Sequence, residues 1–408
     1  MNLSIEHLPE LCDVLVVGAG PAGSATAIQL ARQGVDVVLV DQHAFPRDKV
    51  CGDALIPDAH AALRKVGMLR AVMAHARPVE HVRCVAPRGG QVEVPGDLAV
   101  LPRRKLDDLL CRAAVVAGAR MVAPARLVEV IERKQAVVGA RLRGEGSVRD
   151  IRARWVVLAT GAVPQALIAA GMCERTLPSG VAMRGYVHNP GMADRFKSLD
   201  IVWHRQVRPG YGWIFPCGDG VLNIGAGLSR SHDPRRPGGA SKKGDVNLRT
   251  LFDAFVACHP PAGELMKGGE LMGELKGAPL RCTLEGARPT RPGLLVTGEA
   301  AGSTYAFTGE GIGKAMETGL LAAEAVLAGG DDTAVRAAYE AGLRRLKPRF
   351  ELYERANKLH DHPWLADLLV WRAQRSQRLL RRMSGVLDES SNPGHIAGMR
   401  GMLRLFTA

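Results

Sequence analysis

Three stretches of the 408-residue chain carry residue types that could hold a nucleotide or move a proton. The first is Gly18-Ala19-Gly20-Pro21-Ala22-Gly23, a GxGxxG set between the apolar run "DVLVV" and a helix-forming run. Gly18 permits the sharp turn, Gly20 lets a pyrophosphate approach the backbone, and Gly23 lets the helix pack on the strand. The helix start then offers free N–H groups and a partial positive charge to phosphate. A second strand, "VDVVLVD", ends at Asp41, eighteen residues beyond Gly23, with Gln42 next. An acid at that place bonds ribose hydroxyls. This unit predicts a bound dinucleotide, NAD or FAD, and does not separate the two. The second stretch, "FPRDKVCGDALIP", sets Cys51 beside Arg47, Lys49 and Gly52. Neighbouring cations favour a thiolate, whereas the plainer reading is a small apolar side chain beside a turn with surface charges. In the third stretch a strand, Leu294 to Thr297, leads into Gly298-Glu299, and Gly309, Gly311, Ile312 and Gly313 then open a long helix.

That third stretch resembles the distal FAD motif of the flavoprotein hydroxylase superfamily. There the acid bonds the ribityl chain, and the following helix start faces the flavin pyrimidine ring and pyrophosphate. Glu299 stands where Asp is commoner, so the carboxylate is kept at the end of one more methylene. The same resemblance implies that Arg103, rather than Arg104, in "LPRRKLDDLL" reaches the pyrophosphate. It also implies that the Thr160–Gly161 turn after "WVVLA" passes the adenine side, and that Cys51 and Gly52 lie along the flavin edge.

"GYGWIFPCGDGVLNIGAG", the Cys51 stretch and the tail "HPWLADLLVWRAQRSQRLLRRM" further resemble the geranylgeranyl reductase family, menaquinone reductases included, over nearly the whole chain. This implies a non-covalent FAD enzyme that reduces isoprenoid C=C bonds of a prenyl lipid or prenylated quinone. Its electrons would come from NAD(P)H or from a separate reductase or ferredoxin, since no second GxGxxG is present. An alkene carbon under hydride attack gains positive character, which aromatic faces stabilise. Tyr211, Trp213, Phe215 and Phe307 are candidates for that wall, although each taken singly reads as sheet core. Cys51, Tyr211 or a water would supply the proton, and Arg47 and Lys49 would stabilise anionic reduced flavin and lower the Cys51 pKa. The alternative activity is a flavin monooxygenase acting on an aromatic small molecule or a protein side chain. A halogenase fits less well, because "YGWIFP" keeps only the second Trp and the Pro of that branch's WxWxIP element.

The elements that must position these residues read as an α/β chain. The resemblance implies a Rossmann-like FAD-binding domain of the para-hydroxybenzoate hydroxylase type, with an inserted antiparallel-sheet substrate domain and a helical C-terminal tail. The expected division is 1–75, 100–175 and 285–330 for the FAD domain, 76–99 and 176–284 for the sheet, and 331–408 for the tail. Within the sheet region, alternating patterns in "GYVHNP", "DIVWHRQV", "GYGWIFPCGDGVLNIGAGLS" and "KGAPLRC" predict strands. The polar, Gly/Pro-containing stretch 229–245 predicts a surface loop.

Eight scattered cysteines without a CxxC pair argue against a zinc site and a disulfide framework, and suit a reducing cytoplasm. No apolar run approaches the roughly 20 residues that span a bilayer, and the N-terminus does not read as a signal peptide. The net charge is +13, and residues 336–408 hold fourteen Lys/Arg against seven Asp/Glu, an excess of seven. Few aromatics and no recognised binding motif argue against nucleic acid as a partner. In the tail, Trp364, Leu365, Leu368, Leu369, Leu379, Leu380 and Met383 predict an apolar stripe, and Arg372, Arg375, Arg378 and Arg382 a basic face. Two readings stand: peripheral contact with an anionic membrane face, or a helix packed on the FAD domain with its arginines in water.

Overall fold

The computed structural model describes residues 3–229 and 247–391. Most of the expected loop at 229–245 and the last residues of the tail, 392–408, lie outside the described residues. Two sheets organise the rest. In the first, the strand Leu11–Val17 lies between Val37–Val40 and Val148–Leu158, all parallel, with Leu294–Val296 and Arg120–Val122 extending the parallel set outward. Leu15, Val16, Val38, Leu39, Val156 and Val157 are fully buried, as befits strands covered on both faces. The hairpin Arg126–Arg133 and Ala136–Arg143 adds antiparallel to Val148–Leu158.

Helices Pro21–Arg32, Arg103–Val116 and Ile312–Ala328 cover one face of that sheet. Gly18 has φ +103°, and a Cβ on Gly23 would lie 1.8 Å from the Gly18 carbonyl oxygen. The expected turn and the expected helix-on-strand contact are therefore one tight unit, closed to any larger residue.

The second sheet runs in the order Glu270–Leu271, Gly180–His188, Val221–Ser229, Gly210–Gly218, Leu199–Val202, Arg77–Val85, Gln91–Val100, Ala54–Leu55. Lys276–Leu280 also pairs with Gly180–His188. It is not wholly antiparallel, because Leu199–Val202 runs parallel to Arg77–Val85. "DIVWHRQV" is strand only as far as Val202; beyond it Arg205–Val207 forms a 3-10 turn.

Two helices, Leu248–Cys258 and Pro260–Gly268, occupy ground read from sequence as strand and loop. Asn247 caps the first through its side chain, accepting from the N–H groups of Arg249 and Thr250, and Leu251, Phe252 and Phe255 bury one face. Phe255 lies over Gly212, where a Cβ would come within 2.2 Å of its ring. The glycine of "YGW" thus makes room for this helix.

The tail is helical through Asp332–Ala356, Lys358–Asp361, Pro363–Ala373 and Gln377–Leu387. Its last two helices pack chiefly on strand Gln91–Val100 of the second sheet rather than on the first domain's helices. Gln374 Nε2 donates to the Gln91 carbonyl at 2.8 Å and Ser384 Oγ to that of Pro95 at 2.7 Å. Leu365, Leu369, Leu379 and Met383 are buried as expected, and Leu368 and Leu380 are half-buried. Trp364 departs from that stripe and is 52% exposed. At 100° per residue, positions 364, 368 and 371 form a different face from 365, 369 and 373.

Candidate active site

A cavity of about 770 Å³ joins the two sheets. One end lies between Gln42, Ala125–Val128 and Gln165; the middle passes Gly18, Gly20, Pro21 and Ala22; and the far arm runs under the second sheet. Along the way it is lined by Asp41, Arg47, Cys51, Gly52, Arg103, Thr160 and Gly161, and by Tyr211, Trp213, Phe215, Glu299, Phe307, Gly309, Gly311 and Ile312. Nearly every residue singled out by sequence therefore faces one space. Gly23, Gly298 and Gly313 do not line it: Gly23 packs on Gly18, Gly298 on Ala22, and Gly313 on Asp58.

The middle of the cavity is built for an anion. Helix Pro21–Arg32 starts at Gly20 with no side-chain cap, so its first N–H groups are free. Two guanidinium groups converge on this turn: a Cβ on Gly20 would lie 3.7 Å from Arg47 and 3.8 Å from Arg103. Asp107, fully buried, holds both from behind. It accepts from Arg103 Nε at 2.7 Å and from the terminal Arg103 nitrogen at 2.8 Å, and pairs with Arg47 at 3.0 Å. Arg104, by contrast, is exposed.

Asp41 accepts from the Ala19 N–H at 2.9 Å and the His43 N–H at 3.0 Å, which orients its carboxylate at the cavity wall. The Arg47 Nε–H and Thr160 Oγ1 are buried without a hydrogen-bond partner among the described residues. Free helix N–H groups, paired cations and an anchored acid are the donors and acceptors that a dinucleotide needs, and these residues fit FAD.

Past this point lies the segment 49–53. Asp53, at φ +68°, is fully buried and accepts from the Tyr186 hydroxyl at 2.6 Å, Asn223 Nδ2 at 2.8 Å and the Arg103 N–H at 3.1 Å. Burial raises its carboxyl to about 6 against these donors. Asn223 is the centre of this network, because its amide also donates to the Cys51 carbonyl at 2.8 Å and accepts from Trp213 Nε1 at 2.9 Å. Arg184, itself buried, pairs with Asp48, donates to the Lys49 carbonyl at 3.1 Å and lies over the Tyr186 ring. None of Asp53, Arg184, Tyr186 or Asn223 was marked by sequence; the single local cue was that Asp53 follows Cys51 and Gly52.

The thiol of Cys51 does not behave as its basic neighbours suggested. Burial pushes its pKa up, Asp53 adds to that, and Arg103 and Lys49 oppose without reversing it. Arg47 is occupied by Asp41 and Asp107. Cys51 is therefore a neutral thiol that accepts from the Asp53 N–H at 3.3 Å. Gly52 allows close approach, since a Cβ there would lie 2.9 Å from the Phe215 ring. Lys49 reaches Glu299 at 3.4 Å, and Thr304 Oγ1 donates to the same carboxylate at 3.2 Å.

Aromatic rings close the far arm. Trp213 sits 6.1 Å from Tyr211 and 6.4 Å from Phe215 between ring centroids. A Cβ on Gly225 of the neighbouring strand would lie 2.2 Å from the Trp213 ring, so the glycine-bounded strand makes space for the indole. The Tyr211 hydroxyl donates to the Thr308 carbonyl at 2.5 Å, and burial raises its pKa. His360, not foreseen, stacks on Phe307 at 4.9 Å and meets Tyr211 at 5.6 Å. Beyond them, Val82, Val94, Ile201 and Trp203 from the sheet face Leu369, Met383 and Val386 from the tail. This arm is apolar on both walls.

The model of the FAD binding domain family matches residues 11–180. The chain is 34% identical over 334 residues to the menaquinone reductase of Mycolicibacterium smegmatis, covering 78% of this chain and 77% of that protein. To digeranylgeranylglycerophospholipid reductase 1 of Methanopyrus kandleri it is 30% identical over 343 residues, covering 83% and 86%. The crystal structure of a geranylgeranyl bacteriochlorophyll reductase-like protein from Thermoplasma acidophilum superposes with a TM-score of 0.69 at 23% identity, over 98% of this chain and 96% of that one. That likeness extends the fold over both sheets and the tail.

Proposed function

The chain belongs to the geranylgeranyl reductase family of FAD-dependent oxidoreductases, and on that footing we propose that it reduces isoprenoid C=C bonds of a prenyl lipid or prenylated quinone. The observation that carries this reading is the extent of the relationship. Reductases whose names specify a menaquinone and a digeranylgeranyl lipid align with more than three quarters of the chain. An apolar arm walled by aromatic rings supports it, because a prenyl chain offers nothing but apolar surface and π electrons.

FAD, when bound, supplies the hydride equivalent and accepts it back from the donor. The rest falls to this chain's residues. Arg47, Arg103 and the free N–H groups beyond Gly20 hold the pyrophosphate, Asp41 the adenosine ribose, Glu299 the ribityl chain, and the Thr160–Gly161 turn the adenine side. Trp213 is locked in one orientation by Asn223 and Gly225. Its face, with those of Tyr211 and Phe215, stabilises the carbon that becomes electron-poor. The tail helices and the sheet keep water from the arm.

Electrons arrive from NAD(P)H bound transiently or from a separate reductase or ferredoxin; the described sheets contain one dinucleotide-type unit. Peripheral contact with an anionic membrane face through the tail belongs to the same proposal. No described helix is long and apolar enough to cross a membrane. Trp364 and Trp371 are 52% and 47% exposed, and Arg372 and Arg375 lie over the Trp371 ring at 5.6 and 4.9 Å. Exposed indoles flanked by guanidinium groups suit a headgroup layer.

The test is anaerobic. Protein carrying reduced FAD is mixed with a polyprenylated quinone, and flavin absorbance is followed. Return of the oxidised spectrum without oxygen, with two hydrogens added to the prenyl chain of the recovered lipid, supports the proposal; electrons taken by the quinone ring alone do not. A flavin that only oxygen reoxidises refutes it.

A further inference from the structure

The glycine turn that opens helix Ile312–Ala328 contains a carboxyl group that sequence reading passed over. Glu310, between Gly309 and Gly311, is half-buried and lines the cavity. Behind it lies a group of ionisable side chains with no part in holding FAD. Asp58, in the first turn of helix Pro57–Lys65, sets its carboxyl on Gly313, where a Cβ would lie 2.4 Å from its Cγ. The Asp58 side chain keeps 5% exposure, and neither oxygen has a hydrogen-bond partner among the described residues. Its nearest cation, Lys314 Nζ, is 3.9 Å away. Lys314 gives its closer contacts to Glu317 at 2.5 Å and Glu389 at 2.8 Å. Glu389 also accepts from the Tyr305 hydroxyl at 2.7 Å and pairs with Arg349. Glu317, 29% exposed, is the edge of the group that meets solvent.

Charge counting shows which of these acids keep their protons. If all were ionised, Asp58, Glu310, Glu317 and Glu389 would face, among the described residues, Lys314 and Arg349, leaving a net charge of −2 in a partly buried group. Such an excess is relieved by protonating the acids with the weakest partners. Glu317 and Glu389 have close cationic contacts; Asp58 has Lys314 only at 3.9 Å, and Glu310 has no ion pair among the described residues. Burial raises Asp58 to about 7, with Glu389 and Glu317 adding to the rise and Lys314 opposing it. Burial likewise holds Glu310 well above the usual carboxyl range. Asp58 and Glu389 reinforce that, while Lys314 and the Thr308 hydroxyl oppose it. Tyr211 and Tyr353 face Glu310 as neutral phenols.

Saturating a double bond consumes one proton along with the hydride. The π pair bonds the proton at one carbon, and the neighbouring carbon, left electron-poor, takes the hydride with its own electron pair. The alkene gains two electrons and the reduced flavin loses two. Of the other acids on the wall, Cys51 is a thiol with a raised pKa, Tyr211 has committed its proton to Thr308, and the Asp53 carboxylate is held by three donors. We propose that Glu310 is the proton donor to the alkene and that Asp58, whose carboxyl packs on Gly313 in the same turn, is the positioning residue that sets where Glu310 gives up its proton. The donor assignment rests on the reductase reading. After each turnover Glu310 is left as a carboxylate and regains its proton from the Asp58–Lys314–Glu317 side, which reaches solvent.

Two readouts test it. In the flavin-free protein at pH 7, infrared spectra of wild type minus E310Q should show a protonated-carboxyl stretch that belongs to Glu310. In the FAD-loaded protein, anaerobic reoxidation by a polyprenyl lipid with no quinone ring, whose C=C bonds are its electron acceptors, is timed from pH 6 to 10. The wild-type rate should be flat at low pH and fall as Glu310 ionises. E310Q should be at least ten-fold slower at pH 7 and lose that fall, with FAD affinity unchanged within two-fold. D58N removes a like charge, so its fall should move to lower pH; K314Q removes an opposing charge and should move it to higher pH. Opposite shifts are not the signature of a general structural defect. The proposal is overturned if E310Q reacts at the wild-type rate with the same alkaline limb, or if the infrared difference lacks the protonated-carboxyl band. A wild type that no prenylated compound reoxidises overturns the reductase reading and the donor role with it, whereas failure of E310Q alone to differ leaves that reading standing.

Discussion

Replacing Asn223 with leucine removes three contacts at once while nearly conserving volume. The lost bonds are Trp213 Nε1 to Oδ1 at 2.9 Å, and Nδ2 to the Cys51 carbonyl and to Asp53, both at 2.8 Å. Each leaves a buried partner short of a hydrogen bond, and each such loss costs roughly 1–3 kcal/mol. Asn223 is fully buried and water has no easy access, so the sum is about 3–9 kcal/mol. Asp53 would keep two of its three donors, and its carboxyl would rise further above about 6. The assay is urea unfolding followed by tryptophan fluorescence, together with FAD titration of the apoprotein. Stability should fall by several kcal/mol, and FAD affinity should fall with it because segment 49–53 loses its anchor. A leucine variant within about 1 kcal/mol of wild type, with unchanged FAD affinity, would refute the keystone role of this amide. N223D is an informative companion: it sets a second carboxylate against Asp53 and should be worst above pH 6, recovering as pH falls and one of the pair protonates.

Asp58 offers a pH test of stability. Its folded pKa of about 7 exceeds the ordinary 3.8, so its favourable contribution is complete below about pH 4 and is lost as pH rises through 7. About three pKa units correspond to a loss on the order of 4 kcal/mol; D58N should flatten the dependence of urea midpoints between pH 5 and 8, and identical slopes would contradict the assignment. R103K keeps the charge but gives up the bidentate grip on Asp107, and FAD affinity by fluorescence should drop at least ten-fold, roughly 1.4 kcal/mol. A C51A variant should reoxidise within about five-fold of wild type, and alkylation of Cys51 at pH 7 should be slower than that of a free thiol, since a raised pKa leaves little thiolate; rapid alkylation would show the opposite. Substituting both Trp364 and Trp371 with alanine should reduce sedimentation with phosphatidylglycerol vesicles while leaving FAD content unchanged, and undiminished sedimentation would remove the tail from the membrane proposal.

How much of this was legible in the sequence depended on how far apart the partners lie. The glycine turn with Asp41, and the distal turn from Gly298 to Gly313, are local spacings, and local spacing survives in a linear string. The same holds for the Arg103–Asp107 pair, one helical turn apart. The network under Cys51 is of another kind: Asp53 meets Tyr186 across 133 positions and Asn223 across 170, so nothing near Asp53 announces either. The sign of the Cys51 shift was misjudged for a related reason. Arg47 and Lys49 are close in sequence, but depth of burial and Asp53 decide the thiol, and neither is a property of charge order. Helix Leu248–Cys258 was legible and overlooked, since Asn247 as cap and Leu251, Phe252 and Phe255 on one face are a helix signal. Trp364 shows the limit of counting apolar residues: it belongs to the outward stripe because of angle, not type.

Reduction by this protein sends electrons from the flavin to an isoprenoid double bond. The direct measurement is the mass of the lipid recovered after anaerobic reaction of reduced, FAD-loaded protein with a polyprenylated quinone. The product should be about two mass units heavier, with the added hydrogens in the prenyl chain rather than on the quinone ring. A prenyl chain recovered unchanged, with a substrate gaining about sixteen mass units only when oxygen is admitted, would contradict it.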